Sequence, residues 1–284
     1  MKAMLYDSTR CIGCRGCQIA CKSWNEQPAR PSTFFAGPGY QNPADLASTS
    51  WTVITYNEVE REGQFDWVFG KLQCMHCNSP SCASACPVAA LVKTDLGPVI
   101  YKPERCIGCR YCQFSCPFIV PRYQWDRPVP FITKCTMCYD RISNGGVPAC
   151  VKVCPTRAMG FGDRDDMIRE AEARIASAPN VYLHHIFGRD EAGGTCVLHL
   201  SSVPFDKLRY QASVPTEVLH HYTDMVGIEG PILSWVVGGL ALGLSGFWAF
   251  AQRKAEVAHA EGASHETPGS PDSGTRGVRG SKKK

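Results

Sequence analysis

The chain lacks the common signatures of a substrate pocket. No G-x-G-x-x-G is present, no phosphate-binding G-x-x-x-x-G-K-[ST] occurs, and no Ser, His and Asp stand at the spacing of a hydrolytic triad. Those absences speak against dinucleotide-binding, nucleotide-triphosphate-binding and serine-hydrolase chemistry. Charge is also in short supply: 30 basic against 26 acidic residues leave a formal +4, too little to argue for a polyanionic partner. The first ten residues contain no apolar h-region, and a cysteine group begins at Cys11, so no export signal is expected here.

Against those absences stands cysteine. Of seventeen, sixteen fall into four groups of four that each end in C-x3-C. The most regular is Cys106-Ile107-Gly108-Cys109-Arg110-Tyr111-Cys112-Gln113-Phe114-Ser115-Cys116-Pro117. The others are Cys11, Cys14, Cys17 and Cys21; Cys74, Cys77, Cys82 and Cys86-Pro87; and Cys135, Cys138, Cys150 and Cys154-Pro155. A disulfide framework needs no such regularity. An iron–sulfur cube needs closely placed thiolates plus one reaching in from elsewhere. The run resembles that of bacterial ferredoxins, in which the fourth cysteine ligates the other cluster of a pair.

Four runs make an internal repeat, and hence two paired units. Groups two and three are close in sequence, joined through the short strand Gly97-Pro98-Val99-Ile100-Tyr101, and are expected to pair; groups one and four are left as an outer pair. The expected ligand sets are Cys11, Cys14 and Cys17 with Cys154; Cys135, Cys138 and Cys150 with Cys21; Cys74, Cys77 and Cys82 with Cys116; and Cys106, Cys109 and Cys112 with Cys86. No set lacks a ligand, so four [4Fe–4S] clusters are expected rather than any [3Fe–4S]. Zinc is the rival, because paired C-x2-C units also form structural zinc sites, although without a trailing C-x3-C-P. A zinc-binding interaction protein is thus the alternative class.

The expected fold is α+β, with two tandem ferredoxin-like (2×[4Fe–4S]) modules, inserted loops and a hairpin, and one C-terminal transmembrane helix. Residues 1–22 and 135–160 form the outer module, 23–73 an insertion, 74–134 the inner module, 161–226 an α/β extension, 227–253 the anchor and 254–284 a disordered tail. In the insertion, Trp51-Thr52-Val53-Ile54-Thr55-Tyr56 and Phe65-Asp66-Trp67-Val68-Phe69 flank Glu62-Gly63-Gln64 and predict a hairpin. In the extension, residues 165–178 predict a helix with Met167, Ile168, Ala171 and Ile175 on one face, while 181–187 and 194–203 read as strands.

Residues 231–251 carry no charge, about the ~20 residues that cross a ~30 Å hydrocarbon core. Asp224 and Glu229 precede this stretch and Arg253 and Lys254 follow it. The positive-inside rule therefore predicts a single-pass protein of the cytoplasmic membrane, its cluster domain periplasmic and its C-terminus, with Lys282-Lys283-Lys284, cytoplasmic. Cluster assembly in the reducing cytoplasm, followed by export beside a signal-bearing partner, would account for free thiols outside. Gly239, Gly243 and Gly246 form a small-residue face to which another helix can pack closely.

These residues resemble the four-cluster β subunits of membrane-bound molybdopterin oxidoreductases. Asn42-Pro43-Ala44-Asp45-Leu46, Ser50-Trp51-Thr52-Val53, Cys74-Met75-His76-Cys77 and Pro148-Ala149-Cys150-Val151-Lys152 look like the β subunit of quinone-linked formate dehydrogenases. Met4-Leu5-Tyr6-Asp7-Ser8-Thr9, Cys109-Arg110-Tyr111-Cys112 and residues 194–208 also look like the iron–sulfur subunit of quinone-linked nickel–iron hydrogenases. The first resemblance implies an electron-transfer subunit, not catalytic on its own, fed by a molybdopterin subunit that oxidises formate. It would discharge into a membrane cytochrome b subunit and a quinone, the outer module facing the catalytic subunit and the inner one the membrane. The second implies the same relay for hydrogen, and both substrates stay open.

Several residues are set aside. Cys196, in an apolar stretch, reads as a buried inert thiol. His76, between two cysteines, is expected beside a cluster but not on it. His184-His185 read as strand residues, and His220-His221 lie just ahead of the membrane, near quinone or lipid headgroups. Arg15, Arg110 and Lys134 adjoin ligands and either raise cluster potential or lie on a solvated surface. A reporter active only outside the cytoplasm, fused after Lys284, is expected to stay silent; an active fusion overturns the topology.

Overall fold

The computed structural model describes residues 1–33, 40–61, 63–125, 131–211, 213–218 and 220–263, without the side chains of residues 61, 220–234 and 257–263. It divides into two compact units, Met1–Gly227 and Ile228–Lys284.

The first unit is built on a three-stranded sheet. Its centre is β1 (Lys2–Asp7), antiparallel to β8 (Met159–Asp163) and parallel to β9 (Val197–Leu200). The run Ala3-Met4-Leu5-Tyr6 is continuously apolar because both faces of β1 are covered. Side chains alternate along a strand. Leu5, Leu198 and Leu200 therefore meet one cluster, with Ala171 and the half-buried Met167, Ile168 and Ile175 of α6 (Arg164–Ser177). Met4, Tyr6 and Val197 turn the other way, against Cys11, Cys17, Cys150 and Cys154. The sheet is a partition with a helix on one side and the cysteine loops on the other.

Asp7 fixes that arrangement at the end of β1. It is fully buried, ion-paired with Arg174 of α6 at 3.0 Å, and accepts hydrogen bonds from the Tyr182 hydroxyl and Thr9. A buried carboxylate this well partnered welds helix to sheet; with Arg174 removed it would keep only the half-exposed Arg10, whose Nε lies 3.5 Å away.

The insertion forms the long hairpin of β2 (Val53–Arg61) and β3 (Gln64–Leu72), paired from Val53↔Leu72 to Arg61↔Gln64. The buried Gln18 of α1 (Gly16–Trp24) accepts the Ile54 N–H at 2.8 Å and holds the hairpin to the first cysteine group. Short elements carry the other groups: α2 (Ser81–Ser84), β4 (Leu91–Lys93) paired with β5 (Val99–Tyr101), α3 (Tyr111–Phe114), β6 (Arg122–Tyr123) paired with β7 (Ile132–Thr133), α4 (Tyr139–Ser143) and α5 (Ala149–Lys152).

Two expectations fail here. Residues 181–187 are not a strand: the segment is irregular, held beside β9 by Leu183 N–H to Ser201 O and by Phe187–His199 backbone bonds in both directions. His184-His185 are accordingly not strand residues; His185 is exposed and reaches the buried Glu191 at 2.8 Å. Beyond the sheet, α7 (His220–Ala263) runs past the expected anchor, so residues 254–263 are helical rather than disordered tail; residues 264–284 lie outside the described part. Trp235–Glu256 is long and apolar enough to cross a membrane, with mean hydropathy 1.3. At Gly239, Gly243 and Gly246 an added Cβ would meet nothing within 4 Å.

His199 of β9 gives the core a pH signature. It is fully buried, its Nδ1 is 2.9 Å from the Tyr210 hydroxyl, and burial followed by the charge of Lys71 lowers its pKa to about 3. The unfolded chain takes this proton near pH ~6.5 and the folded chain does not, so stability is lost as pH falls from there towards 3. His199→Gln is expected to flatten that part of the stability–pH curve, followed by melting temperature against pH; an unchanged slope overturns the assignment.

Candidate metal centres

Three backbone devices recur in the cysteine groups, the first two of them in all four. The residue before the second cysteine is left-handed in all four: Gly13 (φ 67), His76 (φ 51), Gly108 (φ 71) and Met137 (φ 56). At three of these turns the left-handed residue's own N–H points at the first sulfur: Gly13, Gly108 and Met137 donate to Cys11, Cys106 and Cys135 Sγ at 3.5, 3.4 and 3.3 Å. At Gly13 the left-handed φ favours glycine, and an added Cβ would lie 2.6 Å from Phe69 Cε1.

The third cysteine is in every case the second residue of a helix: Cys17 in α1, Cys82 in α2, Cys112 in α3 and Cys150 in α5. The fourth follows one turn later. After it, Pro87, Pro117 and Pro155 stop the helix, and a left-handed residue closes a tight turn. Ala89, Ile119 and Arg157 donate their N–H to the carbonyls of Cys86, Cys116 and Cys154 at 3.1, 3.1 and 3.3 Å. Group one has Lys22 in place of the proline, and α1 continues to Trp24.

These devices bring the cysteines together from distant parts of the chain. α1 packs on α5, and α2 on α3. All sixteen thiols are free. Burial pushes the Cys11 thiol up, and Cys154 and Cys14 add to the rise. Cys21 is pushed up to about 12 by burial, then by Cys150, Cys138 and Cys17. Cys77 is raised by burial, then by Cys116, Cys74 and Cys82. Cys112 is raised to about 12 by burial, with Cys86, Cys109 and Cys106 adding to it. Four gatherings of thiols result. Between them, Cys17 neighbours Cys150, Cys135 neighbours Cys74, and Cys82 neighbours Cys112. The gatherings thus stand in file. Of the sixteen thiols only Cys14 and Cys109 are exposed, and they belong to the two ends of that file. Ile12 and Ile19 at one end and Ile107, Tyr111 and Phe114 at the other are exposed apolar neighbours.

The donor set fits iron–sulfur clusters. Buried thiols with raised pKa are neutral on their own, and a coordinated metal deprotonates them outright. Backbone N–H groups aimed at sulfur stabilise the resulting charge. Among the described residues no three His, Cys, Asp or Glu side chains could hold a single metal ion. A cube presents its irons at separate corners, and its thiolates stand wider than those of one zinc ion.

Residues singled out around the groups fare differently. Cys196 is fully buried yet polar in its surroundings: Lys93 Nζ lies 3.4 Å from its sulfur, which is 3.6 Å from Asn78 Oδ1. His76 is fully buried, its Nδ1 accepting the Val99 N–H at 3.0 Å, and burial followed by Lys134 and Lys93 holds it well below its usual pKa, hence neutral. Arg15 stacks on Tyr56 and Arg110 on Trp125, at 4.6 and 4.5 Å. Lys134 is buried at 3%, not solvated, and donates to the carbonyls of Val99 and Cys135. The side chains of His220 and His221 lie outside the described part. Lys71, fully buried beside the thiols, gave no sign of itself in the sequence.

Comparison with known proteins agrees with this construction. Two family descriptions, both of a 4Fe-4S dicluster domain, match residues 10–90 and 65–164. Two dicluster domains imply four [4Fe–4S] clusters. The chain is 41% identical to the iron–sulfur subunit of the nitrate-inducible formate dehydrogenase of Escherichia coli K12, over 70% of this chain and 67% of that one. It is 36% identical to the formate dehydrogenase iron–sulfur subunit of Haemophilus influenzae, over 90% and 79% of the two chains. It is also 36% identical to the hydrogenase-2 operon protein HybA of Escherichia coli O157:H7, over 72% and 71%. The chain belongs to this family of iron–sulfur subunits, and its role is that of an electron-transfer relay.

Gly13→Ala is expected to cost the protein the cluster nearest Cys11 while leaving the rest, a loss of about a quarter of the bound iron. Full iron content in the variant overturns the role given to the left-handed turn.

Proposed function

We propose that this chain carries electrons from a molybdopterin subunit that oxidises formate to a cytochrome b-type membrane subunit and a quinone. The carrying observation is the file of four thiol gatherings with one exposed thiol at each end. Cys11, Cys14, Cys17 and Cys154 hold the first cluster, and Cys135, Cys138, Cys150 and Cys21 the second. Cys74, Cys77, Cys82 and Cys116 hold the third, and Cys106, Cys109, Cys112 and Cys86 the fourth. The packing of α1 on α5 and of α2 on α3 supports this exchange of fourth cysteines within an outer and an inner module. Bound there, the clusters supply one-electron chemistry at stable geometry.

The chain's own residues do the rest. Burial of the inner thiols excludes water, and the exposed apolar residues around Cys14 and Cys109 give redox partners surfaces to dock on at either end. The Cys14 end faces the catalytic subunit and the Cys109 end the membrane. Trp235–Glu256 anchors the chain, with Arg253 and Lys254 on the cytoplasmic side and the cluster unit in the periplasm.

A hydrogenase partner is the second reading, favoured by the resemblance to HybA. The purified complex, tested with each donor, is expected to bleach its iron–sulfur absorption with formate; bleaching with hydrogen alone selects the second reading. Cys154→Ala is expected to remove the cluster of Cys11 and leave that of Cys135. The opposite loss overturns the ligand sets.

A further inference from the structure

Lys71 lies near the end of β3, opposite Ile54 in the hairpin, and is fully buried. Its backbone is clamped by Tyr210, whose hydroxyl accepts the Lys71 N–H at 2.9 Å and donates to its carbonyl at 3.2 Å. Its ammonium donates to Thr52 Oγ1 at 2.6 Å and to Gln73 Oε1, both neutral. No carboxylate among the described residues pairs with it. The ionisable side chains that act on it are the thiols of Cys150, Cys17, Cys135 and Cys21.

An unpaired ammonium in a protein interior costs several kcal/mol, and the usual relief is loss of the proton. Burial pulls Lys71 that way, and negative charge on the four sulfurs would hold its proton in place. The compensation exists only while those sulfurs carry charge, which is when they bind iron. Cys17 belongs to the first ligand set and the other three to the second, so one cation serves two adjacent sites.

Resting on the four-cluster reading, we propose that Lys71 is a built-in counter-charge shared by the first two clusters, raising the reduction potential of both. An electron added beside a fixed positive charge is stabilised, and in a water-poor interior little screens the interaction. Hydrogen bonds to Thr52 and Gln73 fix the ammonium in place without neutralising it, as a carboxylate partner would.

The test is a potentiometric titration of the intact complex followed by electron spin resonance. Lys71→Met is expected to lower the potentials of the first two clusters, changing the oxidised-to-reduced ratio at fixed ambient potential by about tenfold, ~59 mV for a one-electron couple. The fourth cluster is expected to stay put, and Lys71→Arg to keep wild-type potentials. If Lys71→Met fails to assemble, Thr52→Asp leaves Lys71 in place, pairs it with a carboxylate, and is expected to give the same fall. Four intact clusters with unmoved potentials in the assembled variant overturn the role of Lys71 alone. Absence of paramagnetic iron in the reduced wild-type protein overturns the underlying reading instead.

Discussion

Everything in the cluster unit follows from one helical turn. C-x3-C puts the third cysteine at the start of a helix and the fourth four residues on, past the end of α2, α3 and α5. In the proposed ligand sets the third sulfur serves its own loop's cluster and the fourth serves its neighbour's. In those sets no group is self-sufficient, so another segment must come back to supply what is missing. That need brings α5 to α1 and α3 to α2 across long stretches of chain, and the central sheet is the frame on which the return is made.

The electrostatics follow from the same crowding. Thiols packed this closely in an apolar setting resist ionisation, as the rise of Cys21 and Cys112 to about 12 shows. Metal supplies the compensation, and the protein adds polar support where it can: N–H groups at left-handed turns and buried ammonium groups at Lys71 and Lys134. In a medium that screens little, these few groups outweigh the small net charge of the whole chain.

Much of this was legible in the sequence. Cysteine spacing announces iron–sulfur chemistry because ligand geometry is local, and the hairpin of β2 and β3 shows in its alternation and its glycine turn. What stayed hidden is non-local. β1 looks like an unremarkable leader segment, since its four apolar residues declare nothing until β8 and β9 arrive from beyond residue 158. Residues 181–187 have the composition of a strand but meet β9 only at intervals, because Pro179 and Gly188 bend both ends. Lys71 reads as an ordinary solvated lysine at a hairpin end. Its burial is decided by the Tyr210 clamp, 139 residues away. The fade-out of helix α7 was placed too early, because charged residues after Lys254 end a membrane span but not a helix.

The frame has a consequence for how such a molecule comes into being. β1 (Lys2–Asp7) finds its neighbours only in segments that follow residue 158, and Cys11 meets Cys154 only once the intervening chain has been made. Iron delivered earlier would encounter incomplete cages open to oxygen and competing metals. Assembly is therefore ordered: the proposed inner pair has all its ligands within residues 74–116, whereas the outer pair waits for Cys150 and Cys154.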